Sequence, residues 1–148
     1  MPNMKFYRIL AAVDGGDADR DAIRLACMLT KDTKGKVYVV HVIEVKRSLP
    51  LNAELHTDAE QGERILRHAQ DCAEECDCSI ETDLLQAREP GPAIVTEVMD
   101  KQIDLLLMGM SYRTKFGHFD IGETIPYVLK NCPCRVMVVR QPLEGDAT

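Results

Sequence analysis

The sequence predicts an α/β fold in which an open five-stranded parallel sheet carries helices on both faces. Short apolar runs alternate along the chain with segments of helical periodicity, which is typical of parallel strands joined by right-handed crossover helices. The run KVYVVHVIEV is almost continuously apolar and β-branched, as expected of a central strand covered on both faces. With 148 residues, 45% of them hydrophobic, the chain is large enough for one domain core and too short to need two.

The first half of the chain contains two predicted strands and two predicted helices. Residues 6–14 form an apolar run that ends in the turn sequence DGGD, which indicates a buried strand. The next segment predicts a helix followed by Gly35, with apolar residues at helical spacing at Ala22, Ile23, Ala26 and Leu29. Strand two follows at residues 36–45, then a loop at 46–52, and then a long helix that ends near residue 76.

The second half continues the alternation. SIETDLLQA predicts strand three, PGPAIVTEVMDKQ predicts a helix with prolines in or before its first turn, and IDLLLMGM predicts strand four. ETIPYVLKNC predicts the last helix, RVMVVR predicts strand five, and residues 141–148 are a polar tail. We therefore expect a single domain over residues 1–148, with its core at about residues 6–140.

Composition disfavours several classes of partner. The formal net charge of -6 and the isoelectric point near 5.2 disfavour nucleic acid and anionic membranes, which attract clustered positive charge. No segment has the pattern of a secretion signal, and no apolar run approaches the roughly 20 residues that span a bilayer. We therefore expect a cytoplasmic protein without membrane insertion. The six cysteines are interpreted as thiols, because a domain of this size needs no disulfide framework.

Two glycine-bearing loops compete for the ligand site. In an open α/β sheet, ligands bind at the carboxyl ends of the strands, where the strand order reverses. VDGGDADR follows strand one and GMSYRTKFGHFDIGET follows strand four. Each leads into a helix, where exposed backbone N–H groups favour an anion. A sharp turn alone would explain either set of glycines, but the two loops together indicate a phosphate site.

Three blocks of the sequence resemble the universal stress protein family. ILAAVDGG resembles the family's opening strand and Asp-Gly turn, VYVVHVIEV resembles its second strand, and DLLLMG through NCPCRVMVVR resembles its fourth strand, glycine loop, last helix and closing strand. The resemblance implies a Rossmann-like sheet of the adenine nucleotide alpha-hydrolase type, with the strand order 3-2-1-4-5. It also implies an adenine-nucleotide site, in which the backbone around Val13 and at Val42 and the side chain of Asp14 hold the adenosine.

The implied phosphate half of the site departs from the family's pattern, which is Gly, two residues, Gly, nine residues, and then Gly with Ser or Thr. Gly109 and Gly122 keep the spacing, but Tyr112 replaces the middle glycine and Glu123 replaces the hydroxyl residue, with Thr124 one place later. Tyr112 would cost about 1–2 kcal/mol of backbone strain or block the approach of a phosphate, and it would therefore narrow the pocket. The Glu123 carboxylate would repel a phosphate by several kcal/mol in a partly dry site.

Other residues of the loop would offset these changes. Ser111, Thr114 or Thr124 would donate in place of the missing hydroxyl group. Arg113 and Lys115 would neutralise an anion. A divalent Mg or Mn ion would bridge the carboxylate and a phosphate only when a nucleotide phosphate is bound. The complete predicted nucleotide site is Ala12, Val13, Asp14, Gly15, Val42, Met108, Gly109, Ser111, Tyr112, Arg113, Gly122, Glu123 and Thr124.

The resulting functional hypothesis is a universal stress protein-like regulatory module that binds AMP, ADP or ATP and signals stress or energy state. No catalytic residue is assigned, and at most weak ATP hydrolysis or autophosphorylation is expected. One alternative is a dimeric protein-interaction module with a vestigial site, which would dock an unknown protein partner through residues 46–60. Another alternative is an ATP pyrophosphatase-type enzyme, because DGGD resembles the pyrophosphate loop of such enzymes. It is less favoured, since Asp14 and Asp19 replace serines of that loop.

The cysteines and the last strand support two further expectations. CAEEC, CDC and CPC would supply thiolates for zinc, but Cys72 and Cys76 fall on the apolar face of their helix and are interpreted as packing residues. RVMVVR is a predicted edge strand, which invites pairing with a second copy. The resemblance likewise implies a homodimer, and the candidate contact residues are Val136, Val138 and Val139.

Overall fold

The computed structural model describes residues 4–110, 114–115 and 118–143. The strands are β1 (Arg8–Ala12), β2 (Lys36–Glu44), β3 (Ile80–Ala87), β4 (Leu105–Met110), β5 (Thr114–Lys115), β6 (His118–Phe119) and β7 (Arg135–Arg140). The helices are α1 (Asp19–Thr30), α2 (His56–Glu75), α3 (Pro90–Asp100) and α4 (Thr124–Asn131). Each long strand before β7 is followed by a helix, as predicted.

Five strands form one parallel sheet in the order β3-β2-β1-β4-β7. β1 lies at the centre, where Ile9 pairs with Val37 of β2 and with Leu105 of β4. Since β7 is the fifth long strand, this is the predicted order 3-2-1-4-5, and the predicted fold class is confirmed. The chain order reverses between β1 and β4, which places the topological switch point at the carboxyl ends of these two strands.

Each face of the sheet carries a pair of helices and a hydrophobic core. Along β1, Ile9 and Ala11 join the cluster beneath α1 and α2, whereas Leu10 joins the cluster beneath α3 and α4. This alternation follows from the two-residue period of a strand. All three side chains are fully buried, because helices cover the sheet on both sides and the three middle positions of the strand all face a core.

The segment between α1 and β2 differs from the sequence expectation. α1 ends at Thr30, and the left-handed backbone conformation follows at Lys34, with φ of 56°. Gly35 therefore does not end the helix directly. A Cβ atom at Gly35 would come within 2.7 Å of the carbonyl oxygen of Tyr7, so this glycine allows the chain to pass close to the beginning of β1.

The segment after β4 contains a feature that the sequence pattern did not predict. β5 and β6 form an antiparallel pair, in which Thr114 lies opposite Phe119 and Lys115 lies opposite His118. Strands of two residues are too short to show apolar alternation, so the segment was interpreted as an open loop. Among the helices described, α1 to α4, none is long and apolar enough to cross a membrane.

The strand β7 lies at the edge of the sheet, next to β4. Val136 and Val138 pack against the core beneath α3 and α4, and Val139 packs against the opposite core. Each of these valines is only partly buried. The predicted contact residues thus contribute to the core of this chain while part of their surface stays accessible at the sheet edge.

Candidate functional site

A cavity of about 160 Å³ lies at the switch point of the sheet. It is formed by the ends of β1, β2 and β4 together with the first residues of α3 and α4. Strands end there because parallel crossovers place every strand-to-helix connection on the same edge. The cavity brings together most of the predicted nucleotide site: Ala12, Val13, Asp14, Val42, Met108, Gly109, Gly122, Glu123 and Thr124.

Among the predicted site residues that the structure describes, Gly15 does not line this cavity. Gly15 has φ of 87°, and a Cβ atom there would lie 3.1 Å from Cδ1 of Ile65 in α2, so its position is directed towards that helix. Ser111, Tyr112 and Arg113 lie outside the described residues. The predictions for these three residues, including the effect of Tyr112 on pocket width, therefore remain predictions.

Several lining residues were missed by sequence reasoning. Most are apolar positions within predicted strands and helices, where the pattern gives burial but not the end of the element that faces a ligand. Pro90 was interpreted only as a helix-starting residue. The missed residues are Val40, His41, Pro90, Ile94, Met110, Ile121 and Ile125.

The turn between β1 and α1 is held by two carboxylates of the chain itself. Oδ1 of Asp14 accepts the N–H of Gly16 at 2.8 Å. The carboxylate of Asp19 accepts the N–H of Gly15 at 2.8 Å and the N–H of Asp14 at 3.3 Å. These backbone donors are already satisfied, so the expectation that this turn offers free N–H groups to a phosphate is wrong for them.

Asp19 is a buried acid beside the cavity wall. Its side chain belongs to a residue that is only 5% exposed, at the first position of α1. Burial, followed by repulsion from Asp14, raises the pKa of Asp19 to about 6, although the two N–H donors act in the opposite direction. The group thus titrates close to neutral pH.

The adenosine end of the predicted site is fixed by contacts between β1 and β2. Nδ1 of His41 lies 2.8 Å from the carbonyl oxygen of Val13 and donates to it. The N–H of Val13 donates to the carbonyl oxygen of Val40 at 3.0 Å. Together these contacts extend the pairing of the two strands beyond β1 and hold the backbone at Val13 in place.

The phosphate end of the predicted site is formed where α4 begins. Gly122 has φ of 73°, in the left-handed region that favours glycine, and its N–H donates to Oδ1 of Asp120 at 3.1 Å. Glu123 follows as the N-cap residue of α4, is exposed, and makes no side-chain capping hydrogen bond. On the other side, Gly109 allows β4 to approach Ala18, since a Cβ atom there would lie 2.9 Å from Cβ of Ala18.

A second cavity of about 330 Å³ adjoins the first and shares Pro90, Glu123 and Thr124 with it. Its lining also includes Glu44 and Glu89. Three glutamates therefore surround the opening next to the phosphate end of the predicted site. A ligand that extends in this direction meets negative charge, which disfavours additional phosphate groups.

The cysteines near α2 pack as apolar residues, as interpreted from the sequence. Cys72 is 1% exposed, and Cys76 packs against the same core beneath α1 and α2. Burial raises the pKa of Cys72, which keeps the thiol neutral. Within the described part of the chain, no group of three or more His, Cys, Asp or Glu side chains is arranged to hold a metal ion.

Comparison with known proteins relates this geometry to one family. The model of the universal stress protein family matches residues 5–140. A universal stress protein of Methanocaldococcus jannaschii is 29% identical over 143 residues, which cover 93% of this chain and 84% of that protein. The family model thus spans the five-stranded sheet and the helices on both of its faces.

Solved structures show the same fold at lower identity. The universal stress protein from Archaeoglobus fulgidus in complex with dAMP is 20% identical, with a TM-score of 0.73, over 91% of this chain and 98% of that chain. A universal stress protein family protein from Arabidopsis thaliana with AMP bound is 15% identical, with a TM-score of 0.63, over 92% of each chain.

Proposed function

The chain belongs to the universal stress protein family, and from this premise we propose that it is a regulatory module that binds an adenine nucleotide in the switch-point cavity. AMP, ADP and ATP are the candidate ligands, and their binding would signal stress or energy state. The observation that carries the proposal is the cavity itself, which joins the residues implied by the resemblance at one place. The relatives solved with AMP and dAMP support the choice of ligand class.

The walls of the cavity suit an adenosine group. Val42, Ile94 and Met108 supply apolar surface for a flat base. Backbone groups at the ends of β1 and β2 supply fixed hydrogen-bonding partners for its edge. The exposed carboxylate of Asp14 lies at the mouth of the cavity, where it would accept the hydroxyl groups of the ribose.

The phosphate end is the altered part of the site. Because Glu123 is exposed, solvent screens its charge, and its repulsion of the nearest phosphate charge falls to about 1 kcal/mol instead of the several kcal/mol expected in a partly dry site. Glu123 would therefore weaken triphosphate binding without abolishing it. A Mg or Mn ion that bridges the carboxylate and the phosphates would reverse this penalty, so such a metal belongs to the nucleotide complex only.

Isothermal titration calorimetry with AMP, ADP and ATP, each with and without magnesium or manganese, tests the proposal. We expect saturable binding whose affinity decreases from AMP to metal-free ATP. Asp14→Asn should weaken binding about tenfold, because it removes the carboxylate that accepts the ribose hydroxyls. Asp17→Asn is the matched control, since Asp17 is exposed in the same turn and lies outside the cavity lining.

Two results would contradict the proposal. One is the absence of heat with all three nucleotides in a sample whose folding is confirmed by circular dichroism. The other is an equal loss of affinity in Asp14→Asn and Asp17→Asn, which would mean general electrostatics without a ribose contact. Either result would favour the second candidate, a protein-interaction module with a vestigial site.

That second candidate rests on an ordered loop beside the cavities. Arg88 donates to the carbonyl oxygens of Lys46 and Leu49 at 2.6 and 2.7 Å, and Gln86 donates to that of Leu51 at 2.9 Å. These contacts hold the loop in one conformation while Leu49 and Leu51 remain exposed. An ordered loop with exposed leucines is a suitable docking element for a protein partner.

A homodimer is the assembly that we propose for this module. β7 lies at the edge of the sheet next to β4, and an edge strand carries backbone groups that a second copy can pair with. Leu143, three residues beyond the strand, is 57% exposed and extends the apolar surface of this edge. The partly buried valines of β7 would complete the contact.

A further inference from the structure

Two thiols lie side by side where α4 ends and β7 begins. The sulfur atoms of Cys132 and Cys134 are 3.5 Å apart, with Pro133 between the two residues. Cys132 is the C-cap residue of α4, and Cys134 directly precedes β7. The cavity lies at the other end of α4, so the nucleotide site does not use this pair. We propose that Cys132 and Cys134 are an oxidation site, which a hydroperoxide converts to a reversible disulfide.

The distance between the sulfurs makes this bond accessible. A disulfide has an S–S length of about 2.05 Å, so the two atoms need to approach by roughly 1.5 Å. Only Pro133 separates the two residues, so the bond would close a short ring between the end of α4 and the beginning of β7. Both thiols are partly buried against the core beneath α3 and α4, which limits the other partners that they can meet.

The two thiols differ in their environment, and this assigns their roles. Sγ of Cys134 donates to the carbonyl oxygen of Arg135 at 3.3 Å. Burial, followed by the hydrogen bond with Cys132, raises the pKa of Cys134, which keeps this thiol protonated. A protonated thiol is a poor nucleophile. Cys132 is therefore the attacking residue and Cys134 the resolving residue.

The reaction balances with hydrogen peroxide as the oxidant. The Cys132 thiolate attacks one peroxide oxygen, the O–O bond breaks, and Cys132 becomes a sulfenic acid while the second oxygen leaves as water after taking a proton. The Cys134 sulfur then attacks the Cys132 sulfur, its proton leaves with the hydroxyl group as a second water, and the S–S bond forms. Two thiols lose two electrons in total, and one peroxide is reduced to two waters.

Peptide mass spectrometry can follow this pair separately from the other cysteines. Trypsin cuts after Lys130 and Arg135, so residues 131–135 carry both thiols and no other cysteine. The full chain is treated with one equivalent of hydrogen peroxide, alkylated, and digested. We expect residues 131–135 to lose two hydrogens, to escape alkylation, and to recover both thiols after treatment with dithiothreitol.

Two serine variants test the assigned roles, with dimedone as the trap for sulfenic acid. Cys134→Ser should accumulate the dimedone adduct at Cys132, because the resolving thiol is gone. Cys132→Ser should give at least about tenfold less adduct at Cys134, since a protonated thiol is a poor nucleophile. The proposal is overturned if residues 131–135 stay reduced in the folded wild-type chain, if they gain oxygen atoms, if the disulfide links two chains, or if the two variants trap dimedone equally.

Discussion

The buried carboxylate of Asp19 accepts the backbone N–H of Gly15 at 2.8 Å. Through this bond, the first residue of α1 closes the turn that leads into its own helix. The turn thereby carries an internal acceptor at a place where related architectures offer N–H groups to a ligand anion. The raised pKa of this acid, about 6, means that the closure of the turn is linked to pH.

The first prediction concerns the pH dependence of stability. The pKa of Asp19 is higher in the folded state, about 6, than its ordinary value of 3.8, so the folded chain binds this proton more tightly than the unfolded chain. As the pH falls from 7 through 6 towards 4, the stability of the wild type should therefore rise relative to that of Asp19→Asn, by about 1–3 kcal/mol in total. Urea unfolding at several pH values measures this difference.

The control for this prediction is Asp17→Asn in the same turn. Asp17 is exposed in that turn, so Asp17→Asn should keep the rise in stability relative to Asp19→Asn that the wild type shows as the pH falls from 7 to 4. If the free energy of unfolding of the wild type and that of Asp19→Asn changed with pH in parallel over this range, Asp19 would have no raised pKa.

The second prediction concerns the close approach of β4 to the first turn. A Cβ atom at Gly109 would lie 2.9 Å from Cβ of Ala18 and 3.1 Å from its backbone carbon. Gly109→Ala should therefore push the turn away and lower the free energy of unfolding by about 1–3 kcal/mol. The double variant with Ala18→Gly should recover part of this loss in the same denaturation experiment, because it removes the nearest atom. If the double variant recovered none of the lost stability, the strain in Gly109→Ala would not come from contact with Ala18.

The third prediction concerns Lys101, which joins two acids on the face covered by α3. Its Nζ lies 3.1 Å from Oδ2 of Asp83 and 3.8 Å from Oε2 of Glu97. Burial, opposed by Lys101 and reinforced by Asp83, raises the pKa of Glu97. Lys101→Met would leave both carboxylates without this cation and should lower the free energy of unfolding by about 1–2 kcal/mol at pH 7. The loss is smaller than for a fully buried ion pair, because the site is partly exposed.

The control for Lys101→Met is Lys5→Met, which removes the same charge from an exposed position. It should change the free energy of unfolding by less than about 0.5 kcal/mol. The loss in Lys101→Met should shrink as the pH falls, because Glu97, whose pKa is raised, then takes up a proton. Equal losses in the two lysine variants, measured by urea unfolding, would contradict a specific role for Lys101.

The fold was predictable from the sequence because burial of the sheet on both faces leaves a strong signal. Runs such as that of β2 are apolar at nearly every position, so the strands and their alternation with helices follow directly. The strand order, and with it the switch point, was implied by the resemblance to the family. The glycine loops were identified by a different signal, the glycine spacing that the resemblance to the family implies. Gly109 and Gly122 keep the spacing of the family's pattern, and both residues line the cavity.

The missed features depend on contacts between residues that are distant in sequence or on very local geometry. Asp19 was interpreted only as a replacement for a serine of a pyrophosphate loop, since no sequence pattern shows that its carboxylate turns back to Gly15. The charge of Glu123 was expected to act in a dry site, because exposure of a helix-capping residue is decided by the packing around it. The pair of short strands after β4 has too few residues for any period to emerge.

The fourth prediction tests the proposed dimer. Leu143→Glu places a charge on an exposed residue beside the edge strand, so it should weaken association without loss of core packing. Met99→Glu is the matched control, because Met99 is 63% exposed on α3, away from that edge. Multi-angle light scattering at tens of micromolar should report dimers for the wild type and for Met99→Glu, and monomers for Leu143→Glu. A wild type that is strictly monomeric would refute the dimer.

The fifth prediction isolates the charge of Glu123 at the phosphate end of the cavity. Glu123→Gln keeps the size of the side chain and removes a repulsion of about 1 kcal/mol from the nearest phosphate charge, so affinity for metal-free ATP should rise about fivefold to tenfold. AMP carries less charge and should gain less. The gain should shrink in high salt, since the group is exposed to solvent.

Glu89→Gln provides the comparison for this change. Glu89 lines the second cavity but not the first, so its neutralisation should alter ATP affinity less than that of Glu123 if the phosphates end at the beginning of α4. Calorimetry under the same conditions for both variants decides between them. If Glu89→Gln produced the larger gain, the phosphate chain would extend into the second cavity, and Glu123 would not be the residue that sets the preference among nucleotides.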